Sequence, residues 1–240
     1  VHTGMETVLH FTCRDWSLIG IQSELLGAAA LGIKNVLALS GEPADVGELP
    51  RAPSVYDVNA TGLVRLIEGF NHGFTLAGTE IGQPTDFRVG VRVNPAADDL
   101  EAELRKFEER LEAGAHFAQT QPIYDLDLFE RFMKKFSPLC VPILIGIMPL
   151  KSSRHAEFLH NEVAGITIPD SIRERMRNAE PDSQEEGLAI ARELIEQIRP
   201  HVAGIHLLPQ TERVELLSET VGLTAALRQR RRATNGRRGR

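Results

Sequence analysis

The sequence predicts an α/β fold and, within that class, a β/α barrel. Short apolar runs alternate with segments whose apolar residues recur at helical spacing, a pattern typical of helices packed on a parallel sheet. Each apolar run ends in polar residues, and such residues form a site at the carboxyl ends of barrel strands. A doubly wound open sheet is the competing fold. It usually has a glycine-rich loop after its first strand, whereas Arg14 and Asp15 follow here.

The first third of the chain opens this alternation. Residues 7–13 form an apolar run that predicts a buried strand, and the Ala- and Leu-rich segment 16–31 predicts the helix after it, ending at Gly32. Residues 36–39 predict the second strand. The loop 43–56 that follows is too long for a simple connector, and loops of that length are usually functional or disordered.

The remaining elements continue the pattern. In chain order they are helix 59–70, strand 87–93, helix 98–111, strand 116–120, helix 126–136, strand 141–147, helix 152–159, helix 171–176, helix 185–199, strand 204–208 and helix 214–227. The helices are predicted from apolar residues three and four positions apart. The run 141–147 is continuously apolar, as in the buried strands of parallel sheets.

Composition limits the classes of function. The chain has 240 residues, of which 42% are hydrophobic, enough for one barrel-sized core. Cys13 and Cys140 lie in apolar runs without CxxC spacing, so we expect buried reduced thiols, no metal site and a cytoplasmic protein. No apolar run is long enough for a membrane span.

Charge is distributed unevenly along the chain. The formal net charge is −6, yet residues 228–240 are rich in arginine and contain no acid, so the rest of the chain is strongly acidic. An acidic body disfavours a specific nucleic-acid surface. We expect the tail to be disordered and solvated, with non-specific contact to RNA or acidic surfaces as the alternative.

Candidate chemistry lies at the predicted strand ends, at His10, Glu42, Asn94, Gln121, Tyr124 and Arg213. Glu42 follows a strand directly and lies beside Gly41, which lets the backbone approach a ligand. Glu42 is either a group that orients a heteroaromatic ring or a loop acceptor. His10 is either a core histidine or a functional one, and Gln121 is either a loop residue or a ligand contact. The strand ends carry no lysine, which argues against Schiff-base chemistry.

From about residue 8 to residue 224 the sequence resembles methylenetetrahydrofolate reductases, with the similar stretches in one order. These stretches are 10–13, 32–43, 113–125 and 146–150. Two further stretches, 54–58 and 158–169, are most similar to the reductase module of bacterial proteins that also carry a homocysteine methyltransferase module.

The resemblance implies a flavin-dependent (β/α)8 barrel that uses FAD and NAD(P)H to reduce 5,10-methylenetetrahydrofolate to 5-methyltetrahydrofolate. Matched by position, the flavin ring would be lined by His10, Ser40, Gly41 and Glu42, and its ribose and pyrophosphate by Ala60, Glu103, Lys106 and Arg110. Gln121 would contact folate or nicotinamide, and Arg213 the folate tail. Glu42 and Gln121 would be the catalytic residues.

The chain also departs from the family pattern. Glu42 stands where the family usually has Asp, and Asn94 stands where some members have Tyr. The resemblance begins at the family's third strand, so we expect six of the eight β/α units within residues 1–227, followed by the basic tail 228–240.

Three explanations for the missing units stay open, namely a fragment, an upstream start, or a shortened paralogue completed by a partner. We accordingly expect a homo-oligomer or a partner that completes the barrel. The alternative function is a non-catalytic folate- or flavin-binding subunit of such a reductase, and a third class is another barrel enzyme acting on a pterin-like ligand.

Overall fold

Strands and helices alternate along the whole part of the chain that the computed structural model describes, residues 5–41 and 54–208. The strands are β1 (Val8–Thr12), β2 (Asn35–Leu39), β3 (Arg88–Val93), β4 (Phe117–Pro122), β5 (Ile143–Ile147) and β6 (Gly204–Leu207). The helices are α1 (Leu18–Ala30), α2 (Ala60–Asn71), α3 (Leu100–Glu112), α4 (Leu126–Phe136), α5 (Ser153–Glu162), α6 (Asp170–Asn178) and α7 (Ser183–Ile198). None of the helices in these ranges is long and apolar enough to cross a membrane.

The strands of these ranges form one sheet in the order β1-β2-β3-β4-β5-β6. The strand pairs β1–β2, β2–β3 and β5–β6 are parallel. A doubly wound sheet reverses its strand order at a switch point, whereas a barrel adds each strand beside the previous one. The uninterrupted order therefore confirms the predicted α/β fold of barrel type, with six strands in the described residues.

Two compact units divide the chain, and the division falls inside β4. Of the described residues, the first unit contains 5–41, 54–94, 98–119 and 139–142, and the second contains 95–97, 120–138 and 143–208.

Each of the first three strands has one fully apolar face. Residues paired across a parallel sheet point to the same side, so Val36 and Val89 share a face, and both are completely buried. The helices α2 and α3 contact β2 and β3. The opposite face carries His10, Leu37 and Gly90 at one level.

Side-chain caps define where most of the helices after strands begin. Each capping oxygen accepts a hydrogen bond from a backbone N–H in the first helical turn, which is otherwise without a partner. The caps are Asn59, Asp99, Asp125 and Ser152, which accept from Gly62, Ala102, Leu128 and His155 respectively. These caps fix the loops at the carboxyl ends of the strands, where a site is expected.

Two predicted boundaries are wrong in ways that affect the site. Strand β4 continues to Pro122, so Gln121 lies within the strand and not in the loop after it. Strand β5 begins at Ile143, two residues later than predicted, after a left-handed backbone at Cys140 with a φ of 53°. The expected burial of Cys140 is therefore also wrong, since its side chain is exposed. Cys13 is buried as expected, and burial raises the pKa of its thiol to about 11.

Several sequence predictions fall outside the described residues. They concern Glu42 and the loop that follows it up to residue 53, Arg213, the helix 214–227 and the basic tail 228–240.

A paired glycine substitution tests the packing of α7. A Cβ at Gly187 would lie 1.9 Å from the carbonyl oxygen of Leu150, so we expect Gly187→Ala to lower the free energy of unfolding by roughly 1–3 kcal/mol. A Cβ at Gly27 in α1 meets nothing within 4 Å, so Gly27→Ala should raise it by up to about 1 kcal/mol through helix propensity. Urea denaturation measures both, and equal stabilities for the two variants would contradict the described packing.

Candidate functional site

Gly41 follows β2 at a point where the ends of two strands come very close. Its φ is +91°, a conformation that favours glycine, and a Cβ there would lie 2.8 Å from Cβ of Arg14. Its carbonyl oxygen accepts a hydrogen bond from the Tyr56 hydroxyl at 3.3 Å. Gly41 therefore lets the backbone after β2 pack closely against the end of β1, next to the exposed Ser40.

The last part of the long loop, residues 54–58, is fixed against the end of β1. The N–H of Val55 donates to the carbonyl oxygen of Arg14 at 2.7 Å, and the N–H of Leu18 donates to Asp57 Oδ2 at 2.8 Å. Sequence reasoning assigned no structure to this segment. The stretch 54–58 was, however, among those that carried the family resemblance, and this was the available signal.

His10 lies on the more polar face of β1 and is exposed, so the alternative of a core histidine is wrong. Partial burial of the ring and the positive charge of Arg92 lower the pKa of His10 below its ordinary value. The ring is therefore neutral at pH 7. A neutral imidazole has one N–H donor and one nitrogen acceptor.

Helix α3 brings three of the expected cofactor residues to one side, because Glu103, Lys106 and Arg110 are spaced three and four residues apart. Glu103 Oε1 accepts from the backbone N–H of Asn94 at 3.1 Å, just after β3. Arg110 Nη1 donates to the carbonyl oxygen of Arg92 at 2.8 Å. Lys106 is exposed. Glu103 and Arg110 thus bind the end of β3 and retain further donor and acceptor atoms.

Ala60, the remaining cofactor residue predicted in this unit, is the first residue of α2 and is buried. The Asn59 side chain caps the N-terminus of this helix, and helix N-termini favour anions.

Gln121 belongs to the second unit, near the end of β4. Its side-chain Oε1 is buried and has no hydrogen-bond partner among the described residues. The neighbouring Thr120 hydroxyl accepts from the N–H of Gly146 at 2.9 Å and donates to the carbonyl oxygen of Gln121 at 2.8 Å. The backbone of Gln121 is therefore fixed, while its amide oxygen still lacks a donor.

Tyr124 is structural and not a catalytic candidate. Its hydroxyl donates to the carbonyl oxygen of Met148 at 2.7 Å, and the side chain is buried. Burial raises the pKa of Tyr124 far above its ordinary value, so the phenol stays protonated.

His155 was missed by the sequence reasoning and lies after β5, in the first turn of α5. Its Nδ1 accepts a hydrogen bond from the N–H of Lys151 at 3.3 Å, which leaves the proton of the neutral ring on Nε2. Burial and the charge of Lys151 lower the pKa of His155. The predicted helix start at Ser152, five residues after the apolar run 141–147, was the available signal for His155.

The structure thus assigns the predicted residues to different units. His10, Ser40, Gly41, Ala60, Glu103, Lys106 and Arg110 belong to the first unit, and Gln121 belongs to the second. Within residues 5–41 and 54–208, no group of three or more His, Cys, Asp or Glu side chains could hold a metal ion.

A family comparison matches almost the whole chain. The family model for methylenetetrahydrofolate reductase matches residues 1–216. Among curated proteins, methylenetetrahydrofolate reductase 1 of Schizosaccharomyces pombe is 26% identical over 91% of this chain and 36% of its own length. Methylenetetrahydrofolate reductase (NADH) 1 of Arabidopsis thaliana is 27% identical over 85% of this chain and 35% of its own length.

Other relatives are matched over shorter stretches. A probable methylenetetrahydrofolate reductase (NADPH) of Caenorhabditis elegans is 28% identical over 62% of this chain and 21% of its own length. The chain therefore spans about a third or less of the length of these three relatives.

A solved structure shares the fold at low sequence identity. It is an uncharacterized protein from Clostridium thermocellum that binds two copies of 5-methyl-5,6,7,8-tetrahydrofolic acid. The TM-score is 0.52 at 13% identity, over 91% of this chain and 73% of that one.

The pKa of His10 gives a direct test of the electrostatics on this face of β1. Arg92→Gln removes a positive charge that lowers this pKa, so we expect the pKa to rise toward the ordinary value for histidine while part of the depression from burial remains. Arg65→Gln, on the exposed side of α2, should leave it unchanged. NMR titration of the His10 ring measures both.

The same shift has a consequence for stability. The pKa of His10 is lower in the folded chain than in the unfolded chain. Its contribution to the free energy of unfolding is therefore fully present above the unfolded-state pKa and is lost as the pH falls through the folded-state pKa. Arg92→Gln should make that loss smaller. An unchanged or lower pKa of His10 in Arg92→Gln would contradict the conclusion that the charge of Arg92 lowers this pKa.

Proposed function

Since the chain belongs to the methylenetetrahydrofolate reductase family, we propose that it takes part in reducing 5,10-methylenetetrahydrofolate to 5-methyltetrahydrofolate, with NAD(P)H as the electron donor and FAD as the carrier. The names of its relatives support the reaction, and they include both NADPH and NADH enzymes. The solved protein of similar fold that binds 5-methyltetrahydrofolic acid supports a folate ligand.

The observation that carries the proposal is the buried, unpartnered Oε1 of Gln121. Leaving a buried acceptor without a donor costs about 1–3 kcal/mol, so such an atom in a native site calls for a ligand. A pterin presents ring N–H and amino groups along one edge, and these are the donors that a carboxamide oxygen accepts. Gln121 is the residue that we assign to this edge, or to the nicotinamide amide during the other half of the reaction.

The first unit fits FAD in its donor and acceptor set. Neutral His10, the Ser40 hydroxyl and the backbone of Gly41 suit the polar edge of a flavin ring. The cations Lys106 and Arg110 suit a pyrophosphate, and a carboxylate such as that of Glu103 accepts hydrogen bonds from ribose hydroxyls. When bound, the flavin would supply hydride transfer between NAD(P)H and the folate.

Reduction of the folate requires two things from the surrounding residues. One C–N bond of the methylene bridge breaks, the carbon receives a hydride, and the departing nitrogen receives a proton. Tyr124 does not supply that proton, because its hydroxyl is buried on Met148. Gln121 would hold the pterin in place for the transfer. By the resemblance, Glu42 would lie beside the rings and Arg213 would contact the folate tail.

The proposal is tested by adding FAD to the purified chain, recording the visible spectrum, and measuring NAD(P)H oxidation with and without methylenetetrahydrofolate. We expect a bound-flavin spectrum and folate-dependent oxidation. Flavin or folate binding without turnover would favour the non-catalytic subunit instead. A chain that binds neither FAD nor folate would refute the proposal.

A pair of arginine variants on α3 tests the assignment of the pyrophosphate end. Arg110→Ala should weaken FAD binding by roughly ten- to a hundredfold, because charge-assisted hydrogen bonds contribute about 1.5–3 kcal/mol. Arg105→Ala removes the same charge from an exposed position of the same helix and should leave the affinity within about twofold, as is usual for exposed charges. Isothermal titration with FAD measures both. Equal affinities of the two variants would contradict the role of Arg110.

A further inference from the structure

We propose that Thr120 is a positioning residue that holds Gln121 in the orientation required for ligand binding. This inference deepens the proposed function and rests on it. Thr120 is buried, and nothing in the family resemblance assigned it a role.

The Thr120 hydroxyl uses both of its hydrogen-bonding capacities on the backbone around Gln121. It accepts from the N–H of Gly146 in β5 at 2.9 Å and donates to the carbonyl oxygen of Gln121 at 2.8 Å. One side chain therefore joins β4 to β5 and also fixes the peptide that follows Gln121. Loss of the hydroxyl would leave the buried amide of Gly146 without this acceptor.

The strand is irregular at this point. Gly146 bonds Thr120 through its N–H and Ile123 through its carbonyl oxygen, at 2.9 and 3.0 Å. Pro142 and Gly146 are four residues apart and in a regular parallel ladder would accept from N–H groups four residues apart, but they accept from Ala118 and Ile123, which are five apart. The extra residue makes a bulge at Gln121 and Pro122, and Pro122 has no N–H to contribute to the ladder. Bulges re-aim side chains and are frequent next to active sites.

Gly146 makes the close approach possible. A Cβ at this position would lie 2.9 Å from both the carbonyl carbon and the carbonyl oxygen of Gln121. The backbone of Gln121 is held in three ways. The Thr120 hydroxyl binds it, Gly146 packs against it without a Cβ, and the bulge at Pro122 sets its direction. The amide oxygen of Gln121 is then buried without a partner in a fixed place, which is the arrangement a preorganised ligand contact needs.

The test compares Thr120→Val, which keeps the shape and removes the hydroxyl, with Thr120→Ser, which keeps the hydroxyl. Two quantities are measured in the full chain, namely the side-chain amide NMR resonances of Gln121 without ligand and the Kd for 5-methyltetrahydrofolate. We expect Thr120→Val to shift or broaden the resonances and to weaken binding by roughly three- to tenfold, and Thr120→Ser to restore both.

A double-mutant cycle separates positioning from simple stabilisation. If Thr120 acts through Gln121, adding Thr120→Val to Gln121→Leu should weaken binding no further than Gln121→Leu alone. Additive losses would overturn the proposal, as would a Thr120→Val protein with unmoved Gln121 resonances and wild-type affinity. If Thr120→Val fails to fold, Thr120→Cys replaces it in both experiments, because its sulfur accepts hydrogen bonds only weakly.

Failure of the proposed function would look different. The wild-type chain would then not bind 5-methyltetrahydrofolate, while the ligand-free resonances of Gln121 would still report whether Thr120 holds it.

Discussion

The contact between the Thr120 hydroxyl and the backbone amide of Gly146 is the constraint on which the chemistry of the second unit depends. Proline at position 122 removes one ladder donor, and an added residue lets the N–H of Ile123 donate to the carbonyl oxygen of Gly146 instead. The result is a half-buried glutamine whose backbone is bonded and whose buried amide oxygen is not. A structural glutamine would be expected to satisfy that oxygen within the protein, so its lack of a partner is what points to a ligand.

In the first unit, hydrogen bonds from helix α3 and from residues 54–58 fix the ends of the strands. Helix α3 binds the end of β3 through Glu103 and Arg110, and residues 54–58 close over the end of β1 through Val55 and Asp57. These bonds leave polar atoms directed at the edge where parallel strands end, which is where β/α folds bind ligands. The same backbone bonds that stabilise the loops therefore also place the candidate cofactor residues.

Local patterns were sufficient to predict most of this fold. The apolar stripe of α3, the continuous run of β5 and the caps at helix starts are encoded within a few residues, and the elements they predicted lie within a few residues of those observed. Since strand ends align in a parallel sheet, the sequence could also indicate which residues share an edge.

What could not be predicted depends on partners distant in the chain. The extension of β4 through Gln121 is set by Gly146, 25 positions later, and the role of Tyr124 is set by the carbonyl group of Met148. The start of β5 at Ile143 follows a left-handed backbone at Cys140, and that conformation is uncommon in a non-glycine residue. The exposure of His10 likewise depends on what covers β1, which no local pattern specifies.

The reverse half-reaction gives the most direct test of the claim that this chain exchanges hydride between folate and flavin. The chain is loaded with FAD, freed of oxygen and mixed with 5-methyltetrahydrofolate while the visible absorbance of the oxidised flavin is followed. We expect the absorbance to fall in the wild-type chain and to fall more slowly in Thr120→Val. Flavin that remains fully oxidised in a chain shown to bind both molecules would contradict it.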